Sequence, residues 1–82
     1  MTVREHITRE LETLENSPMG TFKTSDIQEL SYEGKQEFGK YLGSPGTYTR
    51  EFRRMRTDGV LTVSKLDRKN RQQIWRIHSI EF

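Results

Sequence analysis

The sequence predicts an α+β fold: three principal helices followed by a C-terminal two-stranded β-hairpin. Three observations carry that expectation. Apolar residues recur at helical spacing near the start, as Val3, Ile7, Leu11 and Leu14, and again as Ile27 and Leu30. A Ser44-Pro45-Gly46 start and an Asp58-Gly59 stop bracket a third helix that carries Tyr48, Phe52 and Met55 on one side. Two β-rich runs, Val60–Leu66 and Gln72–Ile77, flank a charged turn of Asp67-Arg68-Lys69-Asn70-Arg71.

In the first helix, Thr2 offers a capping hydroxyl and Glu5, three residues on, completes a capping box. Arg4, Arg9, Glu10, Glu12 and Glu15 fill the remaining faces, so the helix covers a core and shows water an acidic side. Its end is expected near Asn16, because Ser17-Pro18 disfavours continuation. Met19-Gly20-Thr21-Phe22-Lys23 reads as a brief strand. Ser25 with Gln28 repeats the capping-box pattern, with Thr24 as an alternative cap. Ile27 and Leu30 then point inward from a helix of about two turns. Residues 31–43 hold Gly34, Gly39 and Gly43 and read as a long connection. Phe38, Tyr41 and Leu42 mark a short helical segment inside it.

The third helix has the clearest grammar. Ser44 caps it, Pro45 takes the first helical position, and Gly59 supplies a left-handed stop. With Tyr48 as zero on the helical wheel, Thr49 lies at about 100°, Arg53 at about 140°, Arg50 at about 200° and Arg54 at about 240°. Those three arginines face away from the core, and Arg56, at about 80°, flanks them. In the hairpin, Trp75 and Ile77 share the face expected to be buried, and Arg76 and His78 look outward.

Composition bounds the function. At 82 residues the chain is expected to form one domain, 1–82, without disulfides, since it has no cysteine. Neither His6 nor His78 has a carboxylate or cysteine cluster at ligand spacing around it, so neither metal nor cofactor is expected. No apolar run approaches the ~18–20 residues that cross a bilayer, and no signal-peptide stretch is present. The expectation is a soluble intracellular protein, cytoplasmic or nuclear. No Ser/His/Asp or Cys/His set appears, nor a phosphate-cradling glycine loop, so no enzyme or small-molecule substrate is expected. Charge is unevenly distributed. Residues 1–39 carry four Lys/Arg against eight acids, a net −4, and residues 40–82 carry ten against four, a net +6. Such a chain sets up a polarised field.

The order helix, short strand, helix, connection, helix, hairpin resembles a winged helix-turn-helix domain. The segment from Tyr48 through Arg50, Phe52, Arg53, Arg54 and Met55 to Asp58-Gly59-Val60-Leu61 is similar to that family's third helix running into its first wing strand. The resemblance implies binding to double-stranded DNA, with the third helix in the major groove and residues 67–71 as the wing. A transcription regulator, or the DNA-binding module of a larger factor, is the expected role.

The residue chemistry agrees. Arginine can engage guanine O6 and N7 together or clamp a phosphate through two donors. Arg50, Arg53 and Arg54 are therefore the expected readers, with Thr47 and Thr49 close to phosphate or base edge. Lys65, Arg68, Lys69 and Arg71 suit backbone contact, and Lys23, Thr24 and Ser25 could hold a neighbouring phosphate. One reading helix implies modest affinity for a monomer, so a homodimer or larger complex is expected, with the acidic first helix as partner surface. Other readings use the same basic residues: docking to an acidic protein, binding of structured RNA, or arginines that only solubilise the helix or pair with Glu51 and the first helix's acids.

Overall fold

Reciprocal hydrogen bonds start the first helix. The Glu5 amide donates to Thr2 Oγ1 (3.1 Å), and the Thr2 amide donates to the Glu5 carboxylate (3.0 Å). From this capping box α1 runs Val3–Glu15, burying Ile7 and Leu11 with Val3 and Leu14 packed at the margin. The computed structural model describes residues 1–15, 20–69 and 72–81, apart from the side chains of 67–69. The expected helix end at Asn16 and the strand residue Met19 fall outside the described residues.

β1 is short, Thr21–Lys23, and buries Phe22. The second helix departs from the sequence expectation. α2 spans Thr24–Phe38, about four turns where two were expected. Gly34 does not interrupt it, because the absent side chain is what lets the helices meet. A Cβ there would come within 3.2 Å of His6 Cε1 and 3.3 Å of Tyr48 Oη. Glycine's helix penalty of about 1 kcal/mol is smaller than the gain from burying Ile27 and Leu30 on the same helix, about 1.5–3 kcal/mol each. The helix stops at Gly39, left-handed at φ 74, whose amide donates to the Lys35 carbonyl (2.9 Å). The long connection over 31–43 is thus only residues 39–44, and Tyr41 and Leu42 lie outside any helix. The cap differs too. Lys23 occupies the cap position, and its amide donates to the Asp26 carboxylate (2.9 Å), so neither Ser25 nor Thr24 caps α2.

α3, Pro45–Thr57, follows the sequence reading closely. Ser44 Oγ accepts from the Thr47 amide (3.2 Å). At the other end, the Gly59 amide donates to Arg56 O (3.2 Å) and the Val60 amide to Met55 O (3.1 Å). This is a Schellman stop with Gly59 at φ 80. Tyr48, Phe52 and Met55 are all buried.

The hairpin is longer than the sequence suggests. β2 covers Leu61–Lys69 and β3 covers Gln72–Ile80, antiparallel, with Lys69 opposite Gln72. The expected turn of 67–71 therefore shrinks, since 67–69 continue the strand and residues 70 and 71 lie outside the described residues. Charged residues read as a turn, yet the backbone pairing with β3 continues through them. β1 pairs with the other edge of β3, giving the sheet order β1-β3-β2.

A one-residue register shift sets His78 of β3 opposite no partner, between the pairs Thr62–Ser79 and Val63–Ile77. This β-bulge resets the alternation, so Trp75, Ile77 and Ile80 all reach the core, and Arg76 and His78 face outward as expected. Phe52 links helix to sheet, edge-to-face with Phe22 (5.6 Å) and Trp75 (5.4 Å). The fold is α+β, three helices packed on a three-stranded antiparallel sheet around one core. Among the described residues, no helix is long and apolar enough to cross a membrane.

Candidate nucleic-acid interface

The burial of Tyr48, Phe52 and Met55 fixes the roll of α3 and turns Arg50, Arg53 and Arg54 into solvent. Among the described residues, none of these three side chains has an ion-pair partner. The acids on and next to α3, Glu51 and Asp58, are engaged by α1, and the acids of the opposite flank by Arg9. Arg4 of α1 reaches Glu51 (Nε to Oε1, 2.6 Å) and Asp58 (Nη2 to Oδ2, 2.9 Å). Arg9 holds Glu37 (2.5 Å) and Glu10 (3.2 Å). Exposed pairs like these add little stability, because solvent screens them. Their larger effect is on the field: Arg4 neutralises Glu51 and Asp58, and leaves Arg50, Arg53 and Arg54 uncompensated among the described residues.

Arg53 leans toward the hairpin and borders a cleft of about 310 Å³ between α3, the start of α2 and β2–β3. This cleft gathers Thr24, Thr49, Arg53 and Lys65, which the sequence nominated, with Arg56, Gln73 and Trp75, which it did not. The Arg56 guanidinium lies 4.2 Å from the centre of the Trp75 ring, with Phe52 also near (5.7 Å). Lys65 is directly opposite Trp75 in the β2–β3 register, so its side chain shares that face and its ammonium sits 5.6 Å from the same ring. Arg56 was legible only as a flank of the arginine face. Its stacking depends on strand pairing that helical periodicity does not encode.

Hydrogen bonds decide what each polar group can still do. Trp75 Nε1 donates to Thr24 Oγ1 (3.0 Å), so Thr24 anchors the indole and keeps its own hydroxyl proton to give. Thr49 donates its proton to the Pro45 carbonyl (3.1 Å) and retains only acceptor capacity. Thr47 shares a hydrogen bond with Ser44 Oγ (3.0 Å). Gln73 Nε2 bridges the Leu66 and Ile74 carbonyls (3.0 and 3.1 Å), and among the described residues its oxygen has no partner. Ser25 contacts Gln72 (3.5 Å), and Lys23 is exposed. Arg50 and Arg54 stand outside the cleft on the open side of α3. The side chains of Arg68 and Lys69, and all of Arg71, lie outside the described residues.

A second polar cluster sits on the opposite flank and corrects the expectation that no carboxylates surround the histidines. His6, Glu10 and Glu37 bring possible ligand atoms within 4.8 Å of one another. Arg9 already bridges both carboxylates, so a guanidinium offsets part of their charge. That contact holds the Glu37 carboxyl below the usual range. His6 is fully buried, with Nδ1 2.6 Å from the Tyr48 hydroxyl and edge-on to Phe38. Its Nε2 has no hydrogen-bond partner and lies 3.9 Å from Glu10 Oε1. Burial, assisted by the Arg9 charge, pushes the His6 pKa down. The ring is a neutral core residue that ties α1 to α3.

No family model, no curated protein and no solved structure matches this chain.

Proposed function

We propose that the chain is a winged helix-turn-helix domain that binds double-stranded DNA, with α3 in the major groove and the β2–β3 hairpin along the flanking backbone. One observation carries the reading: Arg50, Arg53 and Arg54 project from one exposed face of α3 with no acidic partner among the described residues, while Arg4 of α1 holds the neighbouring Glu51 and Asp58. The element order and the sheet order β1-β3-β2 support it, as does the six-residue link of 39–44 between α2 and α3. That link is closer to a helix-turn-helix connection than the sequence alone suggests.

The division of labour follows from chemistry. Arg50, Arg53 and Arg54 meet base edges or phosphates, and Thr49, an acceptor only, suits an amino group of adenine or cytosine rather than a phosphate. Lys65 and the basic tip, Arg68, Lys69 and Arg71, lie along the backbone, where they position without specifying sequence. Lys23 and Thr24 border the same side. The role is that of a small regulator or a DNA-binding module, and a homodimer or larger complex raises its affinity.

Two substitutions test this. Arg50→Ala and Arg53→Ala weaken binding in gel-shift assays by about 1–3 kcal/mol each with an unchanged melting temperature. Phe52→Ala costs ~3–5 kcal/mol of stability as a buried aromatic truncation. Unchanged affinity in both arginine variants removes α3 as the reading helix.

A further inference from the structure

The cleft between α3 and the hairpin has an unbalanced inventory. Arg53, Arg56 and Lys65 open onto it, and no carboxylate borders it among the described residues. Three cations facing one concavity repel each other unless an anion joins them. Their arrangement is also prepared. Thr24 fixes the Trp75 indole, and Trp75, 5% exposed, gives Arg56 and Lys65 a common surface. A guanidinium held over an indole at 4.2 Å still has N–H groups to offer a bidentate acceptor. The remaining donor is the Thr24 hydroxyl proton, since Gln73 and Thr49 have committed theirs. Strong donors and cations without a competing acid describe a seat for a phosphate group.

We infer that this cleft seats one phosphodiester group of the bound duplex, with Arg56 as its principal ligand, Thr24, Arg53 and Lys65 as helpers, and Trp75 as the residue that positions Arg56. The inference rests on the duplex reading above and extends it to the flank of α3 that faces the hairpin. A phosphate held there fixes how far α3 enters the groove, which makes the cleft a depth stop between the reading helix and the hairpin. The same chemistry would accept a free phosphate, so the source has to be distinguished.

Trp75 is the single tryptophan and reports directly on the cleft. The test follows its indole N–H signal and its emission while the protein is titrated with a short DNA duplex, and separately with inorganic phosphate against chloride at equal ionic strength. The expected result is a shift of the Trp75 signals with duplex, saturating together with the amides of 47–54, and a weaker shift with phosphate alone. Arg56→Gln should weaken duplex binding roughly tenfold, as for one lost charge-assisted hydrogen bond, with only a small fall in melting temperature from the lost contact with Trp75. Its salt slope should fall by about one phosphate's worth. Duplex that moves 47–54 but leaves Trp75 still, with full affinity in Arg56→Gln, overturns the seat while the DNA reading stands. Phosphate that moves Trp75 when duplex moves nothing overturns the duplex as the source and the DNA reading with it. Silence from both overturns both.

Discussion

Neutral His6 is stabilised by its burial, and that has a sign in solution. Its folded pKa is lowered, so the unfolded chain binds the proton more readily. The stability it contributes is fully present above the unfolded value of about 6.5 and is lost as pH falls through the folded value. Denaturant unfolding should show the protein weakening on acidification below about pH 6.5, before the carboxylates titrate. In His6→Gln that early loss should flatten; an unchanged pH profile in the variant contradicts the assignment. Local spacing placed His6 beside the apolar stripe of α1, yet its bond to Tyr48 was not legible, because the partner lies 42 residues away. The same holds for Arg4 and Arg9. Their helical face could be read from the sequence, but that they disarm Glu51, Asp58 and Glu37 depends on how α1 lies across α2 and α3.

Elements whose ends are set locally were the readable ones. α1 and α3 carry their caps within three residues of their first turns, and Gly59 stops α3 by backbone conformation alone. α2 was misjudged because Gly34 looks like a break in one dimension and is a contact in three. The hairpin was cut short because charge in 67–69 resembles a turn, and the bulge at His78, which brings Ile80 inward, arises from pairing rather than composition. The Gly34 account has a direct consequence. Gly34→Val should destabilise by about 1–3 kcal/mol through overpacking against His6 and Tyr48, measured as a fall in denaturation midpoint. A neutral or stabilising result would mean that the helices can part at no cost.

For the whole molecule, the net charge of +2 matters less than its distribution. The −4 and +6 halves do not simply cancel on contact; Arg4 of α1 quenches Glu51 and Asp58, and among the described residues the outer arginines stay bare. The charge segregation was legible from the sequence, as was the exposure of Arg50, Arg53, Arg54 and Lys65. The cleft with Arg56, Gln73 and Trp75 was not, because it is formed by an α3–hairpin contact that no periodicity announces. Long-range attraction from such a surface is screened beyond about 8–10 Å at moderate salt, so binding should be strongly salt-dependent. The most direct test is an amide NMR titration with duplex DNA at low salt, repeated as salt is raised. Chemical shift changes should concentrate in Thr47–Arg54 and around Lys65, leave the outer face of α1 still, and fade as the logarithm of affinity drops linearly with the logarithm of salt. Shifts confined to α1, or none on the arginine face of α3, would contradict the account.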